Sequence, residues 1–137
     1  MAHHTASCAT KCPRCGTSTE TVYVAESRGG ILRCRYSLRC ANCSLAEEGD
    51  APELYDEARA AFFAAEGRWV VRISDLGPLR EQAWRALREM CSEPTAQLLQ
   101  MVRDAQVVKE GALVEVELLE EALKPLGATV TLSRVPE

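Results

Sequence analysis

The chain has 137 residues, 47% hydrophobic and 26% charged, the balance of a folded globular protein and not of a disordered one. Its longest apolar run, Ala60–Ala65, is too short to span a membrane, and Met1-Ala2-His3-His4-Thr5 lacks the basic start and apolar core of a secretory leader, so a cytoplasmic location is expected. The net charge of −4 is uneven, with six basic and four acidic side chains in residues 1–48 against ten and sixteen in 49–137, and neither part is the strongly basic body that sequence-independent nucleic-acid binding requires.

In chain order, Cys12-Pro13-Arg14-Cys15-Gly16 is a tight cysteine-bearing turn. A strand is predicted at Thr21–Glu26, a turn at Arg28-Gly29-Gly30, and a second strand at Ile31–Arg39. A second cysteine turn, Cys40-Ala41-Asn42-Cys43-Ser44, closes this part. The polar junction Glu47–Pro52 marks a boundary near residue 48, and residues 49–67 read as a connecting helix. Asp50 is its expected N-cap, Pro52 lies in the first turn, Glu53 completes a capping box and Gly67 ends the helix.

From Arg68 the pattern becomes strand (Arg68–Ser74), helix (Gly77 to about Met90), helix (Thr95–Arg103), short strand (Gln106–Val108), helix (Leu113–Lys124) and strand (Ala128–Arg134). This order predicts an α+β fold, with helices on one face of a small antiparallel sheet over residues 68–137.

Six of the seven cysteines fall between Cys8 and Cys43. In a reducing compartment such a count argues for metal before disulfide. Cys12, Cys15, Cys40 and Cys43 form two C-x-x-C pairs, and two residues between thiolates let both sulfurs of one turn approach one ion. Two pairs flanking a hairpin make a closed site of four thiolates, predicting one structural zinc ion. The same four thiolates suit an iron–sulfur cluster, and Cys8 or Cys34 can substitute for a knuckle cysteine. The blander reading makes Cys34 a small buried hydrophobe and His3 and His4 solvated tail residues. The pattern resembles a zinc ribbon over about residues 8–46, with the metal supplying the folding energy that so small a core lacks.

A second resemblance covers about 65 residues. Leu99-Gln100-Met101-Val102-Arg103-Asp104-Ala105, then Val108-Lys109-Glu110-Gly111 and Leu126-Gly127-Ala128-Thr129-Val130, resemble the C-terminal domain of the bacterial large-subunit ribosomal stalk protein, with Leu79–Met90 in the place of its first helix. Cys91-Ser92-Glu93-Pro94 stands where the family has a Gly-rich loop, and the family's dimerisation domain and hinge are replaced by the cysteine-rich part. The resemblance implies a bacterial protein and a translation-related partner meeting the first helix. Positions matching that helix are Arg80, Trp84, Arg85 and Arg88, and on a helical wheel they occupy the arc next to the apolar stripe of Leu79, Ala83, Ala86, Leu87 and Met90. The alternative packs Trp84 under the preceding helix against Phe62 or Phe63.

No catalytic constellation is present, since both histidines lie near the start and no nucleophile sits beside a recognisable base. Glu115, Glu117, Glu120 and Glu121 read as a solvated helix face, and Cys91 ends a helix instead of opening one. The expected function is therefore a non-enzymatic, zinc-stabilised protein-interaction module or adaptor. One alternative is a nucleic-acid-associated regulator using Arg28, Arg33, Arg35 and Arg39 with Tyr36 stacking among them. Another is a small accessory protein such as a toxin-neutralising one.

Overall fold

The computed structural model describes residues 2–28, 30–51 and 53–136; Gly29 of the expected turn and Pro52 of the expected helix start lie outside them. Among the described residues the fold is α+β, with two antiparallel sheets and four α-helices. The first sheet is a meander of β1 (Ala2–Lys11), β2 (Ser18–Arg28), β3 (Ile31–Arg39) and β4 (Ala46–Ala51), each strand paired with the next. Helix α1 (Asp56–Glu66) follows, then β5 (Trp69–Asp75), α2 (Arg80–Met90), α3 (Thr95–Arg103), β6 (Val107–Gly111), α4 (Leu113–Leu123), a 3₁₀ turn at Lys124–Leu126 and β7 (Thr129–Arg134). The second sheet has the order β6-β5-β7.

Two strands stand where the sequence predicted none. β1 occupies the expected tail, and β4 takes Asp50 and Ala51 out of the expected helix, so α1 starts at Asp56 with Tyr55 as its extended N-cap. The reason lies in backbone pairing. A two-stranded ribbon has two open edges, and β1 and β4 satisfy their N–H and C=O groups. Gly49 opposes Tyr36 in this ladder, and a Cβ there would strike the Tyr36 ring, so only glycine admits the ring at that place.

Alternation sorts the first sheet cleanly. Ala6, Tyr23, Ala25 and Cys34 face inward against Leu54, Ala58, Ala61 and Phe62, while Arg33, Arg35 and Arg39 face solvent. A second core joins Val71, Ile73, Ala83, Leu87, Val108, Leu119 and Leu123. Helix α4 serves both: Val114 belongs to the first core, Val116, Leu119 and Leu123 to the second.

The glutamates of α4 correct the expectation of a solvated face. Glu115 accepts two hydrogen bonds from Arg59 of α1, at 3.1 and 2.9 Å. Glu117 meets His4 Nε2 at 2.8 Å, and Glu121 accepts from the buried Ser27 hydroxyl at 2.8 Å. Glu120 pairs with Lys124 at 3.6 Å. His4 is correspondingly no tail residue: its side chain is 12% exposed, and its Nδ1 lies 2.6 Å from Glu66 at the end of α1.

Candidate metal centre

A meander reverses direction at alternate ends, so the β1–β2 and β3–β4 turns fall at one end of the sheet and the β2–β3 turn at the other. Those two turns are the two cysteine pairs. Topology thus brings together side chains more than two dozen residues apart.

The knuckles repeat one another bond for bond. Gly16 N–H donates to Cys12 O at 2.9 Å and Ser44 N–H to Cys40 O at 2.9 Å. Cys12 N–H donates to Thr17 O at 2.9 Å and Cys40 N–H to Leu45 O at 2.8 Å. In each knuckle the residue after the second cysteine is left-handed, Gly16 at φ 74° and Ser44 at φ 63°. Glycine takes that conformation without steric cost, whereas Ser44 is held in it by the turn. The first cysteine of each pair is buried; of the second ones, Cys15 is exposed and Cys43 partly so.

The four Sγ atoms lie within 4.8 Å of one another. Cys12 Sγ is 3.5 Å from Cys43 Sγ, and Cys15 Sγ is 3.6 Å from Cys40 Sγ. A tetrahedral ion with sulfur ligands at about 2.3 Å holds its sulfurs about 3.8 Å apart, so this donor set fits such an ion.

The electrostatics point the same way. Asn42 Nδ2 and Thr17 Oγ1, 3.5 and 3.2 Å from Cys15 Sγ, together with the Thr17 backbone N–H, draw that thiol down to about 5. The backbone N–H groups of Cys15 and Arg14 lower Cys12. At Cys43 the Leu45 N–H pulls down, but burial and the three neighbouring sulfurs outweigh it and push the thiol up to about 11. Anionic sulfur is favoured at Cys15 and Cys12 and disfavoured at Cys43, so four thiolates at this spacing need a cation among them.

Asn42 also bridges the knuckles through a 3.1 Å bond to Thr17 Oγ1. Neither Asn42 nor Thr17 was singled out from the sequence. Aligned, the knuckles pair Asn42 with Arg14 and Thr17 with Leu45, so the repeat itself marks neither residue.

The other sequence candidates lie elsewhere. Arg80, Arg85 and Arg88 are exposed on α2, and Trp84 is half-buried against the second core. Phe62 and Phe63, the alternative partners for Trp84, belong to the first core. Arg28, Arg33, Arg35 and Arg39 share the outer face of the first sheet, where Arg33 opposes Glu26, Arg35 opposes Asp50, and Arg35 reaches Glu26 at 3.3 Å. Tyr36 points to the inner face, so it does not stack among them. Cys34 is fully buried, Cys8 and Cys91 partly so. No helix among the described residues is long and apolar enough to cross a membrane. No protein-family model matches the chain, and no curated protein or solved structure is significantly similar to it.

Proposed function

We propose that this chain is a non-enzymatic protein-interaction module whose first sheet is fastened by one zinc ion on Cys12, Cys15, Cys40 and Cys43. The observation that carries the reading is the paired knuckle geometry, two identical turns presenting four sulfurs at tetrahedral spacing. Four thiolates fill the coordination sphere and leave no position for a substrate or an activated water, so the ion's contribution is structural. A zinc ribbon over residues 8–46 is the simplest description. The succession β5-α2-α3-β6-α4-β7 supports a stalk-like reading of 68–134, which would place a translation-related partner against Arg80, Trp84, Arg85 and Arg88. The cross-strand acidic neighbours of the sheet arginines argue for a protein partner over a nucleic acid.

The test is metal analysis of the purified chain, with one zinc per chain expected and the metal lost in Cys40→Ser/Cys43→Ser. Absence of zinc, visible iron–sulfur absorbance, or zinc fully retained by the double variant would each reject the assignment. A salt-dependent shift with random single-stranded nucleic acid would replace the protein-partner reading with the nucleic-acid one.

A further inference from the structure

All three tyrosines of the chain converge on one place. Tyr23 and Tyr36 are direct cross-strand partners on the inner face of the first sheet, and Tyr55 is the residue that caps α1. With the buried Thr21 and Leu38 and the exposed Glu57 they line a slot of about 210 Å³ beside the first turn of α1, with Tyr23 at its floor. That is room for the end of one side chain, well below the roughly 300–1,000 Å³ of a small-molecule pocket.

The walls are mainly aromatic, with one carboxylate at the rim. The Tyr36 and Tyr55 rings stand at 80° with centroids 6.0 Å apart, so two aromatic surfaces meet at a corner. Gly49 behind Tyr36 fixes that ring against the backbone of β4. At the rim stands the exposed Glu57; its neighbour Asp56 is paired with Arg59, but among the described residues no basic side chain pairs with Glu57. None of the six lining residues is basic. The partial positive charge of the α1 N-terminus opposes a cation, but Asp56 and Glu57 in the first turn and Glu53 just before it offset that charge. Burial first, then the Cys8 thiol and, less, the Glu57 carboxylate, push Tyr23 up to about 12.

Aromatic faces attract cations, and a guanidinium is planar, weakly hydrated and able to fork onto a carboxylate while lying on a ring. A lysine ammonium would give up three strong hydration bonds for a single carboxylate. We infer that the Tyr23–Tyr36–Tyr55 slot is the docking point for an arginine side chain of a protein partner, its guanidinium lying on the half-buried Tyr36 and Tyr55 rings and paired with Glu57. This rests on the protein-interaction reading and names the chemistry of that partner on a surface different from α2.

The test uses the metal-loaded full chain and N-acetyl-arginine amide, followed by NMR of the tyrosine ring signals. A saturable shift of these signals is expected, with N-acetyl-citrulline amide, the neutral isostere, binding at least about tenfold more weakly. Glu57→Gln, at an exposed position, should weaken arginine binding at least about threefold, and Tyr55→Leu should abolish it. Equal binding of the citrulline probe, tighter binding of tetramethylammonium, or no saturable shift would overturn the inference. Failure of the zinc reading would register separately, as missing metal in the same sample. A partner found bound to α2 with the slot silent would leave the interaction reading standing and reject this one.

Discussion

Trp84 lies half-buried against the second core while its neighbours Arg80, Arg85 and Arg88 reach into solvent. The contrast divides the α2 candidates by what each does to stability. Truncating a half-buried indole removes apolar contact and leaves a dent that the core closes only in part. Trp84→Ala is therefore expected to cost about 2 kcal/mol and lower the melting temperature by roughly 5–10 °C. Arg85→Glu should leave the melt within about 2 °C, since surface substitutions away from packed features cost little. Thermal melts followed by circular dichroism measure both, and an unchanged melt for Trp84→Ala would mean that the ring adds nothing to the core. A binding role for Trp84 must then be read from a stability-corrected comparison with Arg85→Glu.

At the level of elements, β1 is held to the helices through His4. A neutral imidazole has one N–H, yet both ring nitrogens face carboxylate oxygens, at 2.6 and 2.8 Å, so both contacts are attractive only when the ring carries two protons. Burial pulls the His4 pKa down, but hydrogen bonds to Glu117 and Glu66 and their charges outweigh it, and the value is raised above 6.5. The sign follows from that direction. The stabilisation is fully present below the unfolded value near 6.5 and is lost as pH rises through the folded value. Denaturation midpoints measured from pH 6 to 9 should thus fall with pH more steeply in the parent than in His4→Gln. The variant should be about 1–2 kcal/mol less stable at pH 6. Parallel pH profiles for the two proteins would refute the clamp.

At the scale of the molecule, α4 lies between the two cores, with Val114 in one and Val116, Leu119 and Leu123 in the other. The four-cysteine cluster lies at the end of the first sheet that carries both knuckles. Both tryptophans pack on the second core, so their emission reports that core; Trp69 also donates to the Glu66 carbonyl at 2.9 Å and so senses the end of α1. In a Trp69→Phe chain, chelation should lower the signal from the first sheet and α1 while Trp84 emission stays unshifted. A concerted red shift of Trp84 with loss of helical signal would make the chain one cooperative unit, coupled through α4.

Much of this architecture is written locally. Cys12-Pro13-Arg14-Cys15-Gly16 and Cys40-Ala41-Asn42-Cys43-Ser44 form their turns from nearest-neighbour geometry, and Thr95–Arg103 is a helix with the bounds its flanking Pro94 and Asp104 set. Amphipathic spacing likewise located α2, which begins three residues after the Gly77 that was expected to open it because Gly77 is held in a turn by Asp75 Oδ1 at 2.9 Å. The strands Ala2–Lys11 and Ala46–Ala51 were not legible, because AHHTASCATK and AEEGDA carry neither an apolar alternation nor strong β-propensity. They are strands because the β2–β3 ribbon offers them unpaired edges, and backbone pairing is indifferent to side-chain identity. The same holds for His4, Glu66 and Glu117, three residues on three elements whose meeting depends on how the sheet lies across α1 and α4. Sequence by itself determined the short-range turns, the helices and which cysteines could act together. Only the tertiary structure decided the edge strands, the double role of α4 and the tyrosine slot, because each depends on contacts between segments whose separation along the chain leaves no local periodic trace.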